Sequence, residues 1–302
     1  MNSEQPDGLA VPDMDPAAAR RWASRTPLSS PWLHEEVAKR MSQRLQWFRE
    51  TPDSWVHWEP ALGGVQAHQR LRALLPQAVN SIWSANMSHA LAVTAESARW
   101  SWNPASWRRA VGSAPAATDA PAAMVWANMA LHREPLPGKL MQQWFNLLRP
   151  NGFLMFSCLG PDSLKELRRL YGHMDWPDPA HAFTDMHDWG DMLVANGFAE
   201  PVMDMERITL TFTDANAYLS ELRELGRNLS ARRFGGLRGR QWRAALLAAI
   251  EAHVPRDADG RLLMTFEVVY GHAFRPRPRL PVTPEQSVSV DAMRAMLRDG
   301  RR

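Results

Sequence analysis

Two loops that follow apolar runs carry side chains able to contact a ligand. Asn128 and His132 follow one apolar run, and Gly160 and Asp162 follow the run 153–158. Amide, imidazole and carboxylate groups exchange hydrogen bonds with ligands, and loops at the carboxyl ends of parallel strands border a ligand crevice. These residues therefore predict a binding site at one edge of a sheet. His132 is also consistent with a partly exposed loop histidine, and Asp162 with a helix cap.

Two earlier segments carry a similar, weaker signal. Glu59 ends the apolar segment 54–58 and is followed by Gly63 and Gly64. Glycines let backbone N–H groups approach a ligand without a Cβ in the way, although a glycine pair is also common in ordinary loops. Asn86, two residues before Ser88, is typical of a helix N-cap.

Apolar runs alternate with amphipathic segments along the chain. The continuous run 124–128 indicates a buried parallel strand, and the helix predicted at 139–148 joins it to the next strand in a strand–helix–strand unit. This alternation predicts an α/β three-layer sandwich with a mainly parallel sheet. The predicted strands are 54–58, 79–85, 124–128, 153–158, 202–212 and 265–274, and the predicted helices include 32–50, 65–75, 89–99, 215–229 and 242–252.

Composition divides the chain into a core region and two flanks. We predict a mobile segment at 1–29, one domain at 30–275 with a helical insertion at about 214–260, and a Pro/Arg-rich tail at 276–302. The sequence does not place residues 100–121, which mix tryptophan with Pro, Ala and Gly.

Charge and cysteine content exclude several classes of protein. Lys+Arg 35 against Asp+Glu 32 gives a net charge of +3, too small to argue for nucleic-acid binding. Cys158 is the single cysteine, so there is no intrachain disulfide and no cysteine-based zinc site. No basic and apolar leader begins the chain, and no apolar run approaches the ~20 residues of a membrane span. We expect a cytoplasmic protein.

One cluster has metal-ligating residue types. Asp185, His187 and Asp188 lie within four residues, but no second ligand pair follows at a suitable spacing. Acids at a helix start are explained by capping and by the helix dipole, so we predict no metal site.

The second half of the chain resembles the S-adenosylmethionine (SAM)-dependent methyltransferases. More closely, it resembles the malonyl-carrier-protein O-methyltransferases of biotin synthesis. The resemblance implies a Rossmann-like seven-stranded sheet whose last strand is antiparallel. It is thin from 54 to 123, where the cofactor would bind. It rests on Trp126-Ala-Asn128, Arg149-Pro-Asn-Gly152, Leu159 to Leu167, Phe183 to Gly197, Ile208 to Phe212, Leu222 to Gly226 and Thr265 to His272.

The resemblance implies a cofactor, SAM, and residues that would hold it. Glu59 would be the acid after the first strand, with Ala61 and Val65 replacing two of the three usual glycines and Gly63 keeping one; a shifted register keeps only Gly64. Asn86 stands where an acid grips the ribose, and a neutral amide binds a diol without charge assistance. The floor under the methionine part would be Trp126, Ala127 and Asn128, and the acceptor pocket would be bordered by His132, Gly160 and Asp162.

Six arginines between two predicted helices form a basic cluster. Such clusters are commonly solvated faces. The resemblance offers a partner, acyl carrier protein or another acyl thioester, and arginine suits its phosphate and carboxylate groups. The cluster is Arg227, Arg232, Arg233, Arg238, Arg240 and Arg243.

The implied reaction is methyl transfer to the free carboxyl of a malonyl thioester, which needs no strong base because that carboxyl is ionised at neutral pH. The altered glycines and Asn86 leave a second hypothesis, a catalytically inactive protein of the same fold that docks a carrier protein or partner enzyme. A nucleic-acid-binding role, resting on the arginines and the tryptophan count, is the least favoured.

Overall fold

A computed structural model describes residues 13–24, 29–95, 114–116 and 120–278. Helices and strands alternate along most of this part of the chain, as the sequence predicts. The helices are α1 (Pro16–Ala23), α2 (Trp32–Gln43), α3 (Pro60–Gly63), α4 (Val65–Leu74), α5 (Met87–Thr94), α6 (Pro137–Leu147), α7 (Lys165–His173), α8 (Met186–Ala195), α9 (Ala215–Leu225) and α10 (Arg240–His253). The strands are β1 (Ser54–Trp58), β2 (Val79–Trp83), β3 (Ala114–Pro115), β4 (Ala122–Ala127), β5 (Leu148–Leu159), β6 (Ala199–Phe212) and β7 (Leu262–Phe274).

The described strands form one mixed sheet in the order β3-β2-β1-β4-β5-β7-β6. Pairs from β3 to β5 are parallel, while β7 runs antiparallel to both β5 and β6. The prediction of a mainly parallel seven-stranded sheet therefore holds only coarsely. Six strands have five or more residues, the two-residue β3 is the seventh, and two of the pairs are antiparallel.

Helices cover both faces of the sheet. Alternate residues of β4 point to opposite sides, so Met124 and Trp126 pack in one core and Val125 and Ala127 in the other. One core includes side chains of α2, α4, α7, α9 and α10, and the other includes side chains of α6 and α8. All of β4 is buried, as expected for a strand covered on both faces.

Several element boundaries differ from the sequence predictions. The helix predicted at 32–50 ends at Gln43 and continues as a 3-10 turn to Trp47. The helix predicted at 215–229 ends at Leu225, because Gly226 follows. The strand predicted at 153–158 begins earlier, at Leu148, so the Pro-Asn-Gly segment 150–152 is part of β5, with Asn151 at φ 65°. Within the N-terminal flank, α1 carries an Asp15 cap. Most of 100–121 and of the C-terminal tail lies outside the described residues.

Candidate functional site

Asn128 is the polar centre of the sheet edge where β1 and β4 end. Its side chain is 1% exposed. The amide nitrogen donates to the backbone carbonyls of His34 (2.8 Å) and Gly63 (2.5 Å), and the amide oxygen accepts from the Ser157 hydroxyl at 2.6 Å. Asn128 therefore ties α2, the turn after β1 and β5 to the end of β4.

The glycine segment after β1 is folded into one helical turn. Glu59 has a left-handed φ of 49°, and α3 follows it directly. The N–H groups of Leu62 and Gly63 both donate to the Glu59 carbonyl, and that of Gly64 donates to Pro60. Gly64 has φ +126°, a conformation that favours glycine, so the chain turns there into α4. The predicted cofactor residues Ala61 and Gly63 are buried within α3.

The amino end of α4 is capped by residues from before β1. The Val65 N–H donates to the Ser30 hydroxyl at 3.0 Å. The N–H groups of Gln66 and Ala67 donate to the two carboxylate oxygens of Glu35, at 3.0 and 2.9 Å. A carboxylate is favourable at a helix amino end because of the exposed N–H groups and the helix dipole. Sequence reasoning missed Ser30 and Glu35, since no local pattern links them to α4.

Glu59 and Asn86 also have partners within the protein. The Glu59 carboxylate accepts from the Ser84 hydroxyl at 2.7 Å and the Ala85 N–H at 2.8 Å. Asn86 is the N-cap of α5 and accepts from the His89 N–H, which confirms the capping interpretation. These two predicted cofactor residues therefore lie at neighbouring strand ends.

A cavity of about 490 Å³ lies between the loops after β4 and β5 and the helices α9 and α10. Its walls are largely apolar, with His132, Arg133 and His181 among the polar exceptions.

Of the residues predicted to border an acceptor, His132 lines this cavity. Gly160 is buried, and its N–H donates to the Glu267 carbonyl. Asp162 lies at the surface, paired with Arg207 at 2.6 Å. Sequence reasoning missed Arg133 and His181.

The six clustered arginines do not share one role. Arg232 pairs with Asp13 and Asp178, and Arg233 with Asp15, so both fasten the N-terminal segment to the insertion. The other four have different contacts. Arg227 donates to backbone carbonyls, Arg243 donates to Asn216, Arg238 stacks on Trp242 with 3.5 Å to the ring centroid, and Arg240 is exposed at the start of α10.

Two negative findings apply to the described part of the chain. No group of three His, Cys, Asp or Glu side chains there is arranged to hold a metal ion. No helix there has the length and apolar character needed to cross a bilayer. Asp185 is instead the N-cap of α8 and accepts from the His187 N–H.

Comparison of the sequence with known proteins finds several malonyl-[acyl-carrier protein] O-methyltransferases. The malonyl-[acyl-carrier protein] O-methyltransferase of Gallionella capsiferriformans is 37% identical over 265 residues, covering 83% of this chain and 87% of that protein. The protein of the same name from Legionella pneumophila is 30% identical over 258 residues, covering 82% and 85%. That of Laribacter hongkongensis is 47% identical over 161 residues, about half of each chain. A scan against protein-family models finds no match.

Solved structures show the same fold. A candidate methyltransferase from Bacillus halodurans superposes with a TM-score of 0.50 at 12% identity, covering 79% of this chain and 99% of that one. The sheet topology and this superposition define an α/β protein with the methyltransferase fold. Within that class, the sequence relationship is close enough to be specific. The chain belongs to the family of malonyl-[acyl-carrier protein] O-methyltransferases.

Proposed function

We propose that this protein transfers a methyl group from SAM to the free carboxyl of a malonyl thioester, borne by acyl carrier protein, during synthesis of a biotin precursor. The relationship to the Gallionella protein carries this proposal, because it runs through 265 residues and covers 83% of this chain. The cavity's position beyond the ends of β4 and β5 suits an acceptor that reaches toward the centre of the sheet edge.

The residues at the ends of β1, β2 and β4 fit the cofactor in part. The fitting features are an acid after β1, the Gly63-Gly64 pair and an amide residue after β2. The amide N–H groups from Leu62 to Ala67 are bonded within the protein, four of them to Glu59, Pro60 or Ser30 and two to Glu35. In this arrangement the Glu35 carboxylate accepts from N–H groups that would otherwise donate to a cofactor carboxylate.

The reaction needs no acid or base from the protein's side chains. SAM supplies a methyl group on a sulfonium, and a carboxylate is already an adequate nucleophile at neutral pH. The protein's contribution is to orient the acceptor and exclude water. Burial lowers the pKa of the His132 imidazole well below its usual value, and it also lowers that of His181. Both rings are therefore neutral at pH 7 and suit binding better than proton transfer.

The test is a direct assay with the full chain. The protein should be incubated with malonyl carrier protein and SAM, and the mass of the acyl group should be measured by mass spectrometry. We expect a mass gain of one CH₂ unit on the malonyl group and release of S-adenosylhomocysteine. A folded protein that leaves the malonyl group unchanged at millimolar SAM would contradict the proposal. Acetyl carrier protein, which has no free carboxyl, is the matched negative control.

One observation favours a second function, a non-catalytic binding protein of the same fold. The protein's own Ser30 and Glu35 satisfy the N–H groups at the start of α4. Such a protein would keep the cavity and the surface around α10 while lacking methyl transfer. Growth of a biotin-requiring strain that lacks its own methyltransferase, when supplied with this gene, would exclude this alternative.

A further inference from the structure

Arg133 lies at the wall of the cavity, and among the described residues no side chain pairs with it. It ends the short 3-10 turn Leu131–Arg133 that follows β4, and its side chain is partly buried. Its Nε is out of contact with solvent and has no hydrogen-bond partner. The side chain forms no hydrogen bond or ion pair with any described residue. A guanidinium that is partly withdrawn from water and has no contacting partner favours an anion beside it.

The two nearest carboxylates do not provide that anion. Glu59 and Glu134 attract the Arg133 guanidinium, but neither reaches ion-pair distance, and Glu59 is occupied by Ser84 and Ala85. Glu134 accepts the Leu136 N–H at 3.1 Å. Burial lowers the pKa of Arg133 to about 10, which leaves the group charged at neutral pH. The cavity therefore offers a persistent positive charge that no side chain in the described part of the chain neutralises by contact.

The surroundings of Arg133 select among anions. On the sheet side, the cavity is walled by Leu159, Leu164 and Phe266, with neutral His132 and His181 as the polar neighbours. Nδ1 of each imidazole is buried and lacks a partner. Further arginines line the cavity from the α9–α10 side, where Arg223, Arg227 and Arg243 are exposed. An apolar channel with cations at the inner wall and at the outer rim fits a short acyl chain that ends in a carboxylate and hangs from a phosphate-bearing arm.

We infer that Arg133 binds the free carboxylate of the acceptor and thereby determines specificity for an acyl thioester with an acidic end. This inference rests on the proposed function for the acceptor's identity. A single ion pair holds the acyl group in place and leaves carboxylate lone pairs for reaction. Methylation removes the negative charge, so the ester product loses its attraction to Arg133 and leaves the cavity more readily than the substrate.

Binding measurements test this assignment separately from methyl transfer. Calorimetry without added cofactor should compare malonyl-CoA, its methyl ester and acetyl-CoA. The wild-type protein should bind malonyl-CoA at least about tenfold more tightly than either neutral thioester. Arg133→Gln should reduce this preference to near one while leaving the neutral thioesters unaffected, and Arg133→Lys should retain part of it. Arg169→Gln, an exposed change on α7 away from the cavity, should keep the full preference.

Two results would overturn the assignment. The first is a wild-type protein with no preference for malonyl-CoA, and the second is an Arg133→Gln protein that keeps the preference. This test can fail independently of the proposed function, because the binding preference for malonyl-CoA is measured whether or not methyl transfer occurs. Arg133→Met adds a check on folding. Because it replaces an unpaired, partly buried cation with an apolar side chain, its melting temperature should equal or exceed that of the wild type.

Discussion

Asn128 has a larger structural role than its position at a strand end suggests. Its side chain satisfies two backbone carbonyls and one hydroxyl in a site without solvent. Asn128→Ala leaves these groups without their partner, so we expect a loss of roughly 2–3 kcal/mol in the free energy of unfolding. Asn86→Ala is the control, because this exposed cap should cost only about 1 kcal/mol. Urea unfolding measures both, and equal losses would contradict the role given to Asn128.

At the scale of single residues, local rules predicted two caps and missed long-range partners, and the interpretation of Asp162 as a cap was wrong because Leu164 is the N-cap of α7. Asn86 and Asp185 were predicted as caps because the residue type and the following helix are adjacent in sequence. Glu35 could not be predicted as the cap of α4, since the two meet only after α2 packs on that helix. Arg133 escaped notice for a similar reason: an arginine in a loop is usually exposed, and its partial burial follows from the fold.

The antiparallel pairing of β5 with β7 requires a small residue at Gly271, which lies opposite Phe156. A Cβ there would lie 2.3 Å from Phe156 Cε1 and 2.9 Å from Met203 Sδ, and Phe156 is fully buried. Gly271→Ala should therefore destabilise the protein by about 3 kcal/mol, at the upper end of the range for overpacked cores. Gly172→Ala in α7 is the matched control with the opposite sign. Nothing lies within 4 Å of its added Cβ, so it should stabilise by about 0.5–1 kcal/mol. Thermal unfolding of the two variants should move in opposite directions.

The contact between α2 and α4 gives a prediction for cofactor binding. Glu35→Gln keeps the shape of the side chain but removes the charge at the amino end of α4, and it should lower stability by about 0.5–1 kcal/mol. If SAM binds through those N–H groups, a weaker internal competitor should tighten the binding of S-adenosylhomocysteine, by about fivefold, or ~1 kcal/mol. Calorimetry would measure this, with Glu36→Gln as control because Glu36 pairs with Lys39 and Arg40 instead. Unchanged or weaker binding in Glu35→Gln would show that the cofactor carboxylate does not use these groups.

At the scale of elements, periodicity predicted the type of most helices and strands but not their joints. The apolar run of β4 and the amphipathic α6 were found because burial on one or two sides leaves a periodic pattern. The α3 turn was missed, since four residues that include Pro and Gly carry no periodicity. The early start of β5 was also missed. Leu148 pairs with Ala122, and a register shift follows, so the Pro-Asn-Gly segment 150–152 becomes part of the sheet.

Ion pairs within the protein limit which arginines of the predicted cluster can contact a partner. Arg232 and Arg233 form ion pairs with Asp13, Asp15 and Asp178, so two of the six arginines in the predicted cluster are engaged within the protein. Near α10, exposed Phe234 and Leu237 lie beside Arg238 and Arg240 around one shallow groove. An apolar patch with cations suits an acidic carrier protein, because charge steers the encounter and the apolar contact holds it.

This surface predicts a salt-dependent interaction. Arg240→Glu reverses one exposed charge in the groove, and we expect at least about fivefold weaker binding of malonyl carrier protein at low salt, with the difference shrinking as salt rises. Arg169→Glu changes the net charge equally at an exposed site on α7. Surface plasmon resonance at two salt concentrations would compare them. Equal weakening by both variants would mean that net charge, and not the groove, attracts the carrier.

Buried histidines make the stability of the whole molecule depend on pH. His34, His57, His68 and His132 are at most 7% exposed, and His57 and His68 meet through their Nδ1 atoms at 3.1 Å. Burial lowers the pKa of His34 to about 3 and that of His68 to about 4, and it lowers those of His57 and His132 well below the usual value. Neighbouring arginines act in the same direction on several of these rings.

The sign of the effect follows from proton binding. Below pH 6.5 the unfolded chain protonates these rings and the folded protein does not, so stability is full above that pH and falls as the pH drops from 6.5 toward 4. Each fully shifted histidine contributes a slope of up to about 1.4 kcal/mol per pH unit, so several kcal/mol should be lost between pH 7 and pH 5. His68→Gln removes one titrating ring and should reduce the slope. Urea unfolding at pH 7.5, 6.5 and 5.5 tests this. Equal stability at all three values would mean that these imidazoles reach water or gain protons without unfolding.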